Sequence, residues 1–371
     1  MPIFPDRLEA AYARIRQEHD AHLTVLETFA KINWQSQPQV AKVLAPLLPR
    51  VLTPTGRQCV AKSVLRKCTD PIALVLRAFG RARWRLAMYL EDFLGQDRLR
   101  GFLSLGGAST GRTSSSQSNL QDVPHDLRTI YGSPTHDLVK IDVSSAELAV
   151  AAMITQCQAL LAAFQAGRDP HRDAASFLFS VPYDNMPKEL RDKGKIGNYS
   201  MIYGGTEVSL IEAAEDAGLT MSLEEAQRLI ARRQHLYPEI VAWQNDIRRR
   251  FWRGEVITSA YGRQWKRSAE MTNWRSVLAA PISSVASDLL LLGVDRVWER
   301  LERVGTIVNL VHDEVDLLIP KGAWPDVEGE IQDITSLMAE IDPRFPMLIE
   351  VGVGPDWGST SHKFTVGRWA R

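Results

Sequence analysis

The chain has 371 residues, 45% of them hydrophobic and 24% charged, with 44 basic against 44 acidic side chains. These proportions are ordinary for a soluble globular enzyme with a substantial core, and no low-complexity tract or internal repeat interrupts them. A formal net charge of +0 excludes nucleic-acid recognition by a global field, so any such binding has to come from local basic patches.

In chain order, Leu8 to about Leu65 is mostly helical in pattern, interrupted at Asn33-Trp34, Pro38 and Pro54-Thr-Gly56. A second helical run, about Pro71 to Leu94, carries Arg81, Arg83 and Arg85. Residues 101–124 are rich in Gly, Ser and Thr and predict short strands and loops. His136 to Val143 reads as a strand, with Val139, Ile141 and Val143 on one face and Leu138, Lys140 and Asp142 on the other. Ser144-Ser-Ala-Glu147 has the form of a capping box, which predicts a helix start. From about Leu148 to Arg253 the pattern is helical, broken near Asp169-Pro170, Pro182 and Tyr237-Pro238. A hairpin is expected over Val256 to Trp265, a long apolar helix over Asn273 to Leu301, and two strands over Thr306 to Pro320, meeting at His312-Asp313. This order gives an α+β fold class, a mixed palm interrupted by a helical insertion.

Cys59, Cys68 and Cys157 have neither an even count nor zinc-type spacing and read as reduced thiols. No window approaches the roughly 20 apolar residues that a membrane helix needs, and no export signal is legible; the expectation is a soluble cytoplasmic protein without a membrane partner. Basic patches stand at Arg57 to Lys67, Arg81-Ala-Arg-Trp-Arg85 and Arg248-Arg-Arg-Phe-Trp-Arg253; each taken alone reads equally well as a solvated helix face.

Two acids carry the chemistry. Asp142 ends a strand just before a helix, where a few oxygen ligands plus phosphate would suit Mg²⁺; read singly it is a turn or cap residue. Asp313 is flanked by apolar runs and singly reads as a hairpin-turn Asp. Between them, positions 191, 195, 199 and 203 advance by about 40° per four-residue step on a helix of ~3.6 residues per turn. Arg191, Lys195, Tyr199 and Tyr203 therefore form one slowly rotating stripe, either an exposed basic face with core tyrosines or a phosphate grip. Carboxylates with a nearby Arg/Lys pair point to metal-assisted phosphoryl or nucleotidyl transfer.

Several segments in register resemble the polymerase module of family A DNA polymerases, the DNA polymerase I family. Thr110-Gly-Arg-Thr-Ser-Ser-Ser-x-x-Asn-Leu-Gln121 resembles its TGRxSS…NLQ segment, Asp142-Val-Ser-Ser-Ala-Glu-Leu148 its motif A, Arg191 to Gly204 its motif B and Val311-His-Asp-Glu314 its motif C. Asp169-Pro-His171, Tyr261-Gly-Arg263 and Val351-Gly-Val-Gly-Pro-Asp-Trp357 add shorter matches.

The resemblance implies a right-hand fold with an antiparallel-sheet palm, helical fingers and a reduced thumb. Thumb-like helices would occupy 1–100, palm 101–160 and 256–371, and fingers 161–255. It implies template-directed addition of deoxynucleoside triphosphates to a primer 3′-hydroxyl on primer-template DNA. Two Mg²⁺ ions, which Mn²⁺ can replace, would be held by Asp142, the carbonyl of Val143, Asp313 and Glu314. Asp142, Asp313 and Lys195 would be catalytic. Arg191, Lys195, Tyr199, His171 and Glu147 would bind the nucleotide, with Glu147 and Tyr199 leaving no room for a ribose 2′-hydroxyl. Arg112, Gln121, Tyr203, Arg275 and His312 would contact DNA.

The departures from the family pattern carry expectations of their own. Val143 and Ala146 replace Tyr and Ile in motif A and thin the wall around Glu147. Gly194 and Gly197 stand in the motif B helix, each costing ~1 kcal/mol relative to Ala, which predicts a looser closing helix and modest nucleotide selectivity. Tyr199, where many members carry Phe, implies easy acceptance of dideoxynucleotides. Ala279 and Ser283 replace amides that read minor-groove acceptors, which predicts weak mismatch sensing. Asp316 is an extra acid. Chain length leaves no room for proofreading or 5′ nuclease domains, and short synthesis runs follow from a truncated thumb unless a processivity or replication partner clamps it. Two rivals stay open: a single-subunit RNA polymerase, which Glu147 opposes, and a non-catalytic accessory protein, which the intact Asp142, Asp313, Arg191 and Lys195 oppose.

Overall fold

The computed structural model describes the chain apart from residues 54–55, 66–67, 69, 109, 117–118, 269–270, 272, 368 and 370–371. The break at Pro54-Thr55, the Arg66-Lys67 end of the first basic patch and the two unmatched positions before Asn119 therefore lie outside the described residues. The chain divides into two compact units, one of 1–101 with 117–133, the other of 102–116 with 134–371.

The first unit is built on the helices Pro5–Phe29 and Pro71–Tyr89. Both begin with Pro in the first turn, where its missing N–H costs nothing, and Asp70 caps the second by accepting from Ile72 N at 2.9 Å. Their apolar faces enclose Leu26, Trp34, Val40, Leu44, Leu76 and Phe79. The sequence between them is less helical than its pattern predicts, with Gln37–Leu44 and Lys62–Leu65 as the helices among the described residues. Residues 117–133 return to this unit through Tyr89 OH, which donates to Asp122 O at 2.9 Å, and an Arg85–Asp126 ion pair at 2.8 Å.

The second unit contains a five-stranded antiparallel sheet in the order Thr306–Val311, Glu314–Pro320, His136–Val143, Ile349–Gly354, Ser361–Val366. Alternation sorts its residues onto two faces. Val139, Ile141, Val143, Val315, Leu317, Ile319, Ile349 and Val351 enter the main apolar core. Lys140, Asp142, Glu314, Asp316 and Glu350 share the other face, where Asp142 is in register with Glu314 on one side and Glu350 on the other. A one-residue slip would drive this charge into the core, so the burial of one face fixes the placement of the acids on the other.

The Ala280–Val304 helix is buried through its first ten residues on every side, as befits a helix apolar all round. With the short helix before it, it forms the segment Trp274–Val304, which, contrary to the sequence expectation, is long and apolar enough to cross a membrane; 89% of its apolar window is buried inside the protein, so here it is a core helix. Helices from Ala146–Thr155 to Pro238–Trp252 fill the stretch between the central strand and the small Ile257–Thr258/Gln264–Trp265 hairpin. The α+β reading and the boundaries of the His136–Val143 strand agree with the sequence expectation. All three cysteines are free.

Candidate nucleotidyl-transfer site

Asp142 is the penultimate residue of the central strand, and Asp313 lies in the two-residue turn between the Thr306–Val311 and Glu314–Pro320 strands. The backbone brings them together: Val143 N donates to Asp313 O at 2.9 Å. His312, beside Asp313, adopts φ 54, a left-handed conformation that a side-chain-bearing residue holds only when its surroundings enforce it. Burial raises the Asp142 pKa to about 7, with Asp313, Glu314 and Glu350 adding to the rise and Lys140 opposing it. Burial likewise raises Asp313 to about 6, with Glu147 and Glu314 adding to it, against its own backbone N–H and Arg112. Two neighbouring, partly desolvated carboxylates that resist ionisation are a site short of positive charge. No group of three or more metal-type side chains gathers among the described residues. The donor set is thus two carboxylates, the number with which Mg²⁺ is commonly held when phosphate and water complete its shell.

Glu147 stands beside them, 3% exposed. The capping box expected with Ser144 does not form. Ser144 N is taken by Leu348 O at 2.8 Å, and the helix Ala146–Thr155 starts from Ser145 in a left-handed conformation without a side-chain cap. Instead, Glu147 Oε1 accepts from Arg112 Nη2 at 2.7 Å, Tyr203 OH at 2.7 Å and Ser283 Oγ at 2.6 Å. Arg112 is held for this by its own loop: Gly111, at φ 79, packs under the Arg263 side chain and its carbonyl accepts from Ser287 Oγ. Arg263 in turn forks onto Asp288 at 2.6 to 3.2 Å.

The Lys188–Ile202 helix presents Lys195 and Tyr199, and Tyr203 follows at its C-terminal end. All three line a cavity of about 750 Å³ together with Arg275. Lys195 Nζ is 5.9 Å from the Tyr199 ring centroid. Burial first, then the charges of Asp313, Glu147 and Asp142, raise the Tyr199 pKa. The opposite side of the helix is pinned. Asn198, fully buried, donates to Pro170 O and accepts from Tyr237 OH, and Lys193 pairs with Glu225 at 3.0 Å. Gly194 is where this helix meets the Pro170–Phe179 helix: a Cβ there would stand 2.6 Å from His171 O. That glycine is a close-contact residue rather than a source of looseness.

Other expected residues are placed differently. Glu314 is no free metal ligand: one oxygen accepts from Trp357 Nε1 at 2.6 Å and the other is ion-paired with Lys140. His171 is 3% exposed, 3.2 Å from Asn198 Nδ2 and 3.4 Å from Ser145 Oγ, with its ring 5.7 Å from that of Tyr199. Burial depresses its pKa to about 4, so it backs Tyr199 as a neutral ring and brings no positive charge to a phosphate. Arg191 is held by Asp169 at 2.6 Å. Gln121 is buried in the first unit, whereas the other site residues belong to the second. Lys140, Trp357, Ser283 and Asn198 were absent from the sequence-derived site. Lys140 carried a signal, a cation on the same strand face as Asp142, with Asp316 as its register partner; Ser283 and Trp357 stood in matched segments, but nothing local tied them to Glu147 or Glu314.

Comparison with known proteins bears on the whole of this arrangement. The DNA polymerase family A model matches residues 5–359. DNA polymerase I of Aquifex aeolicus (strain VF5) is 30% identical over 344 residues, 88% of this chain and 59% of that protein. Thermostable DNA polymerase I of Thermus aquaticus is 30% identical over 279 residues, 70% of this chain and 32% of that protein; the chain thus spans under two thirds of these curated relatives. Among solved structures, the POL domain of Pol1 from M. smegmatis in complex with DNA primer-template and dNTP superposes with a TM-score of 0.79 at 23% identity, over 96% of this chain and 67% of that one, which shows a shared fold. Because the family match runs unbroken through the Asp142 strand, the 188–202 helix and the Asp313 turn, the chain belongs to DNA polymerase family A.

Proposed function

We propose that this chain extends a primer 3′-hydroxyl on a DNA template with deoxynucleoside triphosphates, releasing pyrophosphate. The observation that carries the reading is the joining of the Asp142 strand end to the Asp313 turn, with Glu147 bonded to Tyr203 of the cavity that Lys195 and Tyr199 also line. Asp142 and Asp313 would hold two divalent cations, Mg²⁺ or in its place Mn²⁺, which lower the barrier by activating the hydroxyl and neutralising charge on the leaving group. Lys195 and, once released from Asp169, Arg191 supply cations for the triphosphate. Tyr199 and the anchored Glu147 wall the sugar, which favours deoxyribose and counts against the RNA polymerase reading. Tyr203, 38% exposed, offers a ring face to a base. Arg275 and His312 would contact the primer-template near the growing end.

Low fidelity belongs to the same proposal. Ala279 carries no donor, and Ser283, fully buried, spends its hydroxyl on Glu147; neither can read a minor-groove acceptor as an amide would. In the hand-shaped division, the 188–202 helix belongs to the fingers and the five-stranded sheet to the palm. Bacterial relatives support a cytoplasmic setting.

The test is extension of a labelled primer-template with Mg²⁺, comparing the native protein with Asp313→Ala. Extension by the native protein, reduced at least a thousandfold in the variant, is expected; product length reports run length, and a mismatched 3′ end should still be extended. A native protein that binds duplex but extends nothing overturns the reading in favour of an accessory role. Ribonucleotide incorporation equal to that of deoxynucleotides overturns the assignment of Glu147.

A further inference from the structure

The run Arg248-Arg-Arg-Phe-Trp-Arg253 separates into two kinds of residue once its partners are followed. Arg249 pairs with Asp246 at 2.6 Å, Arg250 with Glu255 at 3.3 Å and Asp246 at 3.9 Å, and Arg253 with Glu255 at 3.8 Å. Those three guanidinium groups share two carboxylates, which offset most of their charge. Arg248 meets no carboxylate among the described residues; its guanidinium carbon lies 5.4 Å from the Trp274 ring centroid. Arg275 approaches the same ring at 5.3 Å. One helical turn beyond Arg248, Trp252 is 49% exposed and carries Arg267 at 4.9 Å.

Arg267, Trp252, Arg248, Trp274 and Arg275 therefore make a continuous strip of three cations and two indoles, with no carboxylate paired to them among the described residues. Its Arg275 end lines the cavity shared by Lys195, Tyr199 and Tyr203, and its Trp252 end is open to solvent. Cation–π contacts set each guanidinium against a ring without cancelling the charge with which it can meet an anion. A ligand that matches must present flat aromatic faces and regularly spaced negative charge together. Unpaired DNA does both. A duplex keeps its base faces stacked inside, and an acidic peptide has no such faces. We propose that this strip is a track for single-stranded DNA, the unpaired template ahead of the primer end. The proposal rests on the polymerase reading above and deepens it.

The test is anisotropy binding of primer-templates whose template overhang grows from none to about six nucleotides. The native protein should gain roughly tenfold in affinity over that series, the worth of one or two bases stacked on an aromatic ring. Trp252→Ala should lose most of that gain while binding the blunt duplex normally. Arg267→Gln, which cannot unsettle a core, should lose part of it and lower the salt slope by about one. The acid-paired controls Arg249→Gln and Arg253→Gln should keep it. Affinity independent of overhang in the native protein, equal losses on blunt and overhung DNA, or displacement by polyglutamate as readily as by oligo-dT would each overturn the track. An overhang gain that persists in a protein extending no primer would remove the polymerase reading and leave the track standing. Extension without an overhang gain would remove the track alone.

Discussion

A single oxygen, Glu147 Oε1, takes three donors contributed by Arg112, Tyr203 and Ser283, while Oε2 is buried with no hydrogen-bond partner. A buried carboxylate left half-satisfied is sensitive to any donor it loses, because hydrogen bonds to charged groups are worth ~1.5–3 kcal/mol and the desolvation cost remains. Ser283→Ala is therefore expected to lower stability by about that amount in urea unfolding. It should also raise ribonucleotide incorporation relative to deoxynucleotide severalfold, because the wall against the 2′-hydroxyl is held less firmly. A variant as stable as the native protein would show that the Ser283 contact is dispensable, and unchanged sugar selectivity would show that it does not steady the wall.

At the scale of elements, the two glycines of the 188–202 helix look alike in sequence and differ in place. Alanine is favoured over glycine in a helix interior by ~1 kcal/mol. At Gly197 the added Cβ would meet only Leu178 Cδ1 at 3.7 Å, so Gly197→Ala should stabilise by up to that amount. At Gly194 it would meet His171 O at 2.6 Å and Ala175 Cβ at 2.9 Å, forcing two helices apart, so Gly194→Ala should destabilise and depress nucleotide affinity. Equal effects of the two substitutions in denaturant unfolding would refute the close-contact role. The contrast marks what a sequence makes legible. Strand alternation over 136–143, the breaks at Pro170 and Pro238 and the turn at His312-Asp313 are local, and they could be read because residue period and Pro chemistry act within a few positions. Glu147 could be misread as a cap because its true partners are 35, 56 and 136 residues away. Lys140 locking Glu314 depends likewise on strand pairing that no spacing in the chain encodes.

For the whole molecule, the sheet concentrates acid that the chain's balanced charge conceals: in the second unit Asp142, Glu314 and Asp316 surround Lys140, and Asp313 and Glu350 stand by Asp142. That concentration should make stability depend on pH and on divalent cations in a definite sense. Burial and neighbouring acids raise the folded-state pKa of Asp142 to about 7 and of Asp313 to about 6, from 3.8 for an ordinary aspartate. Below about pH 4 both folded and unfolded chains hold these protons and no penalty exists. As pH rises through 4 to 7 the unfolded chain ionises first, the folded chain binds more protons, and stability falls. His171, depressed to about 4, acts in the opposite sense over pH 4 to 6.5, so the raw stability profile is a mixture. The difference between native protein and Asp313→Asn removes that term, because the amide imitates the protonated acid at every pH. Without divalent ions the variant should melt above the native protein at pH 8, by roughly 1–2 °C for each kcal/mol of relieved repulsion, and the gap should close towards pH 4. Mg²⁺ should narrow the gap at pH 8 by stabilising only the native protein, in proportion to the logarithm of its concentration over its dissociation constant. A gap that stays constant from pH 4 to 8, or that Mg²⁺ leaves untouched, would mean that the two carboxylates do not share a cation site.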